Sequence, residues 1–337
     1  MFIEQSTVAK FTGCNLAFGP RQNTARKDAS LSQLATGIRL EGDTNLHDLL
    51  TDLLSVGEGS IQGKLSSLQG GCLSESATFH VRGRHRLGLP MLGISVENSL
   101  CPLRAHVIFR DLDEANYGSL YPFRGVVSEE IFAAECYSYL MLRALSDVNL
   151  DAVLTVADIK TEGETWRRFD CLLVEDFASA ALNRGGHLSH DGFPSFEATD
   201  VFNYFLFQCL VGNSDYHFDF SDKGRLQLHN TLLISSKGRQ IPVPYDFQYV
   251  CTVAPEYWKF GPGGEAHIAR RNAEMLYRMM LTMPQIDFLF CFEAIDFAHS
   301  FLGSVEMIES VRLRYETYLN ALSNDLERFM EGKDACS

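Results

Sequence analysis

The chain has 337 residues, of which 46% are hydrophobic and 21% charged, proportions that exclude a disordered or fibrous protein and suit one or two hydrophobic cores. Its 29 Lys and Arg against 43 Asp and Glu leave a net charge of -14, which argues against nucleic acid as a partner, since phosphate backbones are held by basic patches. No run of about 18 apolar residues occurs, and MFIEQSTVAKFTGC contains no basic stretch leading into an apolar one, so the expectation is a cytoplasmic chain with no membrane span.

Residues 1–37 are polar and aperiodic and read as an irregular arm. GIRLEGDTNLHDLLTDLL (37–54) reads as a strand and a short helix, and the Gly- and Ser-rich stretch 55–71 as a loop. The alternating runs ATFHVR (77–82), PMLGISV (90–96) and LRAHVIFR (103–110) read as strands of one antiparallel sheet. SEEIFAAECYSYLMLRALSD (128–147) opens on a Ser N-cap followed by acids and reads as a helix with one stripe against that sheet. Strands near 152–160 and 169–175 complete a sheet-rich lobe at 38–175.

Beyond LLVEDF, the Gly-, Ser- and His-rich NRGGHLSHDGFPSF marks a boundary, and residues 176–337 read as a helical lobe. EATDVFNYFLFQCLV (197–211) is apolar nearly all round and belongs in its core, with further helices near 265–281, 284–301 and 304–331. The expected fold class is therefore α+β, with two lobes. The nine cysteines stand singly without a C-x-x-C pair and read as reduced; Cys136, Cys209 and Cys291 sit in apolar helices as small core residues.

Three neighbouring stretches carry chemistry: VGNSDYH (211–217), LHNTLLI (228–234) and IPVPYDFQYV (241–250). The last two are β-like runs around Lys237 and Gly238 and predict an antiparallel hairpin. With Gly238 as its centre, Asn230 and Asp246 each lie eight residues away and stand side by side at the open end. Pro242 and Pro244, two apart, place both missing N–H groups on one side of an edge strand. A carboxylate beside an amide oxygen, with Asp215 delivered by the loop after a buried helix, forms a set of hard oxygen ligands suited to Mg²⁺ and to orienting a hydroxyl.

This order resembles the catalytic core of the protein-kinase-like superfamily, and its wording is closer to atypical members. GNSDYH is similar to the catalytic loop of HipA-like kinases, and HNTLLI with PVPYDF resembles bacterial proteins related to them and to the spore-coat kinase CotH. The resemblance implies a bilobal kinase-like fold, ATP and Mg²⁺ as cofactors, Asp215 as the catalytic base, and Asn230 and Asp246 as metal ligands. Asn213 and His217 support the loop. Glu135 takes the place of the αC acid, Glu175 and Asp176 lie near the adenine, and Arg104 or Arg110 stands where an ATP-anchoring Lys is expected. The acceptor is a hydroxyl of an unknown protein or small molecule.

Other readings stay open. Arg82, Arg84, His85 and Arg86 are the densest positive patch, either a contact for nucleotide phosphates or a solvated strand end. His217 and His229 flank the site and, with Asp215 and Asp246, could form the transition-metal centre of a hydrolase. A pseudokinase that binds nucleotide or a partner and transfers nothing is the non-catalytic alternative.

Overall fold

The computed structural model describes residues 34, 37–42, 46, 48–49, 59–68, 74–82, 91–96, 103–110, 126–127, 129–146, 149–160, 166–189, 196–213, 215–220, 226–247, 250, 264–283, 286–305 and 307–332. Residues 1–33 of the expected arm 1–37, most of the short helix before residue 54, the cluster Arg84, His85 and Arg86, and five of the nine cysteines lie outside the described residues. The chain divides into two compact units, each drawn from separate stretches: a barrel unit within Asn23–Phe132 and Leu150–Asn183, and a mainly helical unit from the described parts of Ala133–Asn149 and Arg184–Ser337.

In the barrel unit, the strands are β1 (Ile38–Glu41), β2 (Ser60–Ser67), β3 (Ser74–Arg82), β4 (Met91–Val96), β5 (Leu103–Arg110), β6 (Val126–Val127), β7 (Ala152–Lys160) and β8 (Trp166–Glu175). They hydrogen-bond in the order β4-β3-β2-β1-β7-β8-β5, and β4 pairs with β5 as well, so seven strands close on themselves while β6 adds to β5 outside the ring. Every pairing in the ring is antiparallel except β1 with β7. Alternate residues point inward and are buried: Ile38 and Leu40, Ala77 and Phe79, Leu92, Ile94 and Val96, Ala105, Val107 and Phe109, Ala157 and Ile159, Cys171 and Leu173. The barrel interior is thus filled by side chains.

This closure overturns the expected bilobal kinase-like fold with a sheet-rich N-terminal lobe. The physical reason lies in β2. SIQGKLSS has the composition of a loop, yet its backbone is paired on both sides, to β1 from Ile38↔Ser67 to Glu41↔Lys64 and to β3 from Ser60↔His80 to Ser66↔Ser74. Ladder bonds from two neighbours override a weak intrinsic preference and supply the stave that lets the sheet curl into a ring.

The helices are α1 (Glu129–Leu145), α2 (Phe177–Asn183), α3 (Ala198–Leu210), α4 (Gly264–Thr282), α5 (Phe288–Ser304) and α6 (Glu309–Met330). Among the described residues, no helix is long and apolar enough to cross a membrane. In the helical unit, α3 is buried from Leu206 to Leu210 as well as at Phe202 and Tyr204. The Tyr318 hydroxyl of α6 accepts from Asn272 Nδ2 of α4 at 2.8 Å and donates to the Cys209 carbonyl of α3 at 2.6 Å, fixing three helices through one buried phenol. Asp287 caps α5, accepting from the Leu289 N–H at 2.9 Å. Cys136, Cys171, Cys209 and Cys291 are buried thiols.

The helical unit also carries β9 (His187–Leu188), β10 (His217–Phe220), β11 (Leu226–His229), β12 (Thr231–Ser236) and β13 (Arg239–Pro244). β10 pairs with β11, placing His217 opposite His229. β12 lies between β13 and β9, and among the described residues β13 makes one further bridge, from Gln240 to Phe196.

Candidate functional site

The β12–β13 hairpin turns at Lys237 and Gly238, whose φ of 52° and 79° make a two-residue turn that matches the twist of the strands. Ser236 pairs with Arg239 and Thr231 with Pro244. The centre therefore falls between Lys237 and Gly238, half a residue before the expected one, so Asn230 faces Tyr245 and Asp246 follows one step on. The Tyr245 N–H donates to the Asn230 carbonyl at 3.1 Å and carries the ladder one rung past the strand ends. Pro242 and Pro244 fall opposite Leu233 and Thr231, the alternate pairs whose N–H groups point away from the partner strand, so neither removes a hairpin bond.

Three non-glycine residues have positive φ among those described: Lys237 in the turn, and Asn230 and Asp246, at 52° and 63°, at the open end. Each such residue costs about 1 kcal/mol or more, least for Asn and Asp, and is kept where the surroundings determine it. At Asp246 the surroundings are supplied by α1. Tyr139 and Glu135, one turn apart on that helix, take the next two backbone donors: the Tyr139 hydroxyl accepts from the Asp246 N–H at 3.1 Å and Glu135 Oε1 from the Phe247 N–H at 3.3 Å. Phe247 is fully buried between the rings of Tyr139 and Phe207, at 4.9 and 5.6 Å.

Asp215 is positioned from the end of α3. Gly212, with φ of 65°, turns the chain out of the helix, and Asn213 Oδ1 accepts from the Asp215 N–H at 2.9 Å, an Asx turn. A continuous line of hydrogen bonds starts here. Asn213 Nδ2 donates to Gln208 Oε1 at 2.9 Å, Gln208 Nε2 to the Tyr204 hydroxyl at 3.0 Å, and the Tyr204 and Thr231 hydroxyls lie 2.5 Å apart. Thr231 Oγ1 donates to the His229 carbonyl at 3.1 Å. That carbonyl can only accept and Thr231 has one proton, so Tyr204 donates to Thr231 and every bond runs in the same sense. Burial pushes the Tyr204 phenol above its ordinary range, keeping the donor proton in place.

The line closes on itself at Asn230. Its Nδ2 donates to the Asp215 carbonyl at 2.6 Å and to Asp215 Oδ2 at 3.1 Å. His229 Nε2 lies 3.4 Å from the other carboxylate oxygen, Oδ1. Asp215, Asn230 and the backbone of Asp246 are thereby held by one framework of hydrogen bonds within the helical unit.

Of the residues singled out from sequence, Asp215, Asn230, Asp246, Glu135 and Asn213 meet in this framework, and the backbone of His217 starts the strand paired to His229. Arg104, Glu175, Asp176 and Arg82 belong to the barrel unit. The Arg104 carbonyl accepts from the Asp176 N–H at 3.0 Å. Glu175 Oε2 accepts from the Asp151 N–H and Oε1 from Asn183 Nδ2, at 3.0 and 2.5 Å. Asp176 Oδ1 caps α2 through the Ala178 and Ser179 N–H groups, at 3.0 and 3.4 Å, so both carboxylates have structural work there. Arg82 ends β3, opposite Met91.

Tyr139, Tyr204, Gln208 and Thr231, which the sequence does not mark as site residues, complete the framework together with His229, expected as a flanking metal ligand and found beside Asp215. Tyr204 and Gln208 stand one turn apart on a helix whose apolar run reads as core, which it is; only the need of a buried phenol for a partner marks them.

The donors at the hairpin mouth are an amide oxygen of Asn230 and the carboxylate of Asp246, an all-oxygen set of the kind Mg²⁺ takes. Among the described residues, no three His, Cys, Asp or Glu side chains form a group that could hold a metal ion, so geometry adds nothing to the transition-metal hydrolase reading. No family model matches the chain, and no curated protein matches it significantly.

Proposed function

We propose that the chain is an ATP- and Mg²⁺-dependent phosphotransferase acting on a hydroxyl acceptor, with Asp215 as its catalytic carboxylate and Asn230 and Asp246 as its metal ligands. The observation that carries this reading is the two-point bond from Asn230 to Asp215, made by a residue in left-handed backbone beside a second such residue, Asp246. Backbone strain kept at two neighbouring acidic and amide positions, and secured by buried hydrogen bonds, is what a preorganised ionic site requires. The likeness of GNSDYH, HNTLLI and PVPYDF to motifs of HipA-like and CotH-related kinases supports the same roles. The proposal rests on the site and takes nothing from a kinase scaffold, because similar chemistry recurs on unrelated folds.

In this reaction Asp215 orients the acceptor and draws off its proton. The acceptor oxygen forms a bond to the γ-phosphorus, the bond from that phosphorus to the β,γ-bridging oxygen breaks, and ADP leaves. Bound Mg²⁺ supplies neutralisation of the phosphate charge, and Asn230 Oδ1 with the Asp246 carboxylate would hold it.

Radiolabelled ATP offered to the protein alone and with cell extract tests the reading. Asp215→Asn should keep Mg²⁺-dependent nucleotide binding and lose transfer by roughly a hundredfold or more, while Asp246→Asn should lose both. Transfer that is unchanged in Asp215→Asn removes its catalytic role. Binding without transfer by the wild type favours a nucleotide-binding module instead.

A further inference from the structure

Successive residues of an extended chain point to opposite faces, so two neighbours ordinarily cannot address one carboxylate. His229 and Asn230 do: His229 Nε2 lies 3.4 Å from Oδ1 of Asp215, and Asn230 Nδ2 lies 3.1 Å from its Oδ2. The left-handed backbone at Asn230, with φ of 52°, breaks the alternation between them. The strain at this residue thus has a geometric product, a pincer on both oxygens of Asp215. The backbone of His229 is fixed by the same framework, because its carbonyl ends the line of hydrogen bonds that begins at the Asp215 N–H.

We propose that His229 is a positioning residue of Asp215: its imidazole N–H holds the carboxylate oxygen that Asn230 leaves, so that the plane of the carboxylate is set before the acceptor arrives. The inference rests on the phosphotransferase reading and adds a residue to it. The His229 side chain is 54% exposed and that of Asp215 16%, so the imidazole is the more accessible of the two groups. A separation of 3.4 Å is long for a finished hydrogen bond, and contacts of this kind in ligand-free sites commonly tighten when substrate docks. The exposed ring and the buried amide therefore divide the work: Asn230 locks the loop to the hairpin, and His229 completes the grip on the carboxylate.

The test compares His229→Ala and His229→Gln in the full chain, using radiolabelled ATP with the protein alone and with cell extract as the source of hydroxyls. His229→Ala should lower kcat by about tenfold, the loss expected for one hydrogen bond to a charged group, with the KM for Mg²⁺-ATP and the thermal shift it produces unchanged. His229→Gln, whose amide N–H can reach the same oxygen, should recover most of the rate. Independently of turnover, ¹⁵N correlation spectra of the imidazole should show His229 as the Nε2–H tautomer in the wild type and as a mixture in Asp215→Ala. Transfer abolished in Asp215→Asn yet undiminished in His229→Ala would sink this inference and leave the phosphotransferase standing. Transfer absent from the wild type, or indifferent to Asp215→Asn, would sink both. A raised KM for nucleotide in both His229 variants, or identical tautomer spectra with and without Asp215, would also overturn the positioning role.

Discussion

The side-chain amide of Asn230 donates to both the main-chain and the side-chain oxygens of Asp215, at 2.6 and 3.1 Å, across fifteen residues of sequence. A buried amide therefore stands where a carboxylate would face a carboxylate. Asn230→Asp removes both donated bonds and sets a buried charge beside the partly exposed one of Asp215, a cost of about 3 kcal/mol or more. Urea denaturation should show this loss in metal-free buffer, and Mg²⁺ should restore part of it, because a divalent cation relieves like-charge repulsion. Wild-type stability in metal-free Asn230→Asp would mean that the amide does not hold Asp215.

Tyr204 lies in the middle of the hydrogen-bonded line and offers a cleaner cut. Tyr204→Phe keeps the ring that packs against Phe205, Tyr216 and Phe218, at 5.3, 5.8 and 5.4 Å between centroids. It removes the acceptor of Gln208 Nε2 and the donor to Thr231 Oγ1. The expected loss is about 1–3 kcal/mol in denaturant titration, with a fall in transfer rate that exceeds any change in nucleotide binding. If stability drops while transfer per folded molecule stays at the wild-type level, the line is structural and does not position Asp215.

Elements made by local signals were legible in the sequence and those made by distant pairing were not. The alternation in β3, β4, β5, β7 and β8 and the buried run of α3 announce themselves within a few residues. β2 does not, since Gly63 and its three serines carry no β signal, and neither does the pairing of Ile38 with Ala157, on which closure also depends. In the site, the order Asp215, Asn230, Asp246 and the hairpin that aligns them could be read. The one-residue difference in register came from the Lys237–Gly238 turn, where the centre is a bond and not a residue. His229 was seen as a flanking histidine, but its share in holding Asp215 depends on the left-handed backbone at Asn230, which one sequence does not display.

Asp200, in the first turn of α3, predicts a pH dependence of stability. It lines a small cavity with Leu142, Leu145, Phe207 and Ile241, and burial raises its pKa above the ordinary 3.8, against the opposing pull of Arg239, whose Nη1 is 3.3 Å from Oδ2. The folded chain thus binds this proton more tightly than the unfolded chain. Its contribution is fully present below the ordinary value and is lost as pH rises through the raised folded value. Asp200→Asn should therefore gain stability relative to wild type as pH climbs from about 4 to about 7, in urea titrations at each pH. Arg239→Ala should steepen the wild-type trend. A constant difference between wild type and Asp200→Asn across this range would show that the carboxyl titrates alike in both states.

Closure of the barrel can be tested at Gly63, where β2 runs between β1 and β3. An added Cβ would lie 2.5 Å from the Glu41 carbonyl oxygen and 2.6 Å from Cε2 of Phe79, a ring wholly buried in the barrel interior. The first neighbour is backbone already committed to the β1–β2 ladder, and the second has no free volume to retreat into. Gly63→Ala should accordingly destabilise the protein by about 1–3 kcal/mol, the usual cost of overpacking. Hydrogen exchange should quicken first in β1, β2 and β3, since those ladders must spread to admit the methyl group. Phe79→Leu in the Gly63→Ala background should recover the part of the loss due to the ring but not the part due to the Glu41 carbonyl, giving a coupling between the two sites in a double-mutant cycle. Full additivity, or a Gly63→Ala protein as stable as wild type, would mean that β2 is not packed as a stave of a closed ring.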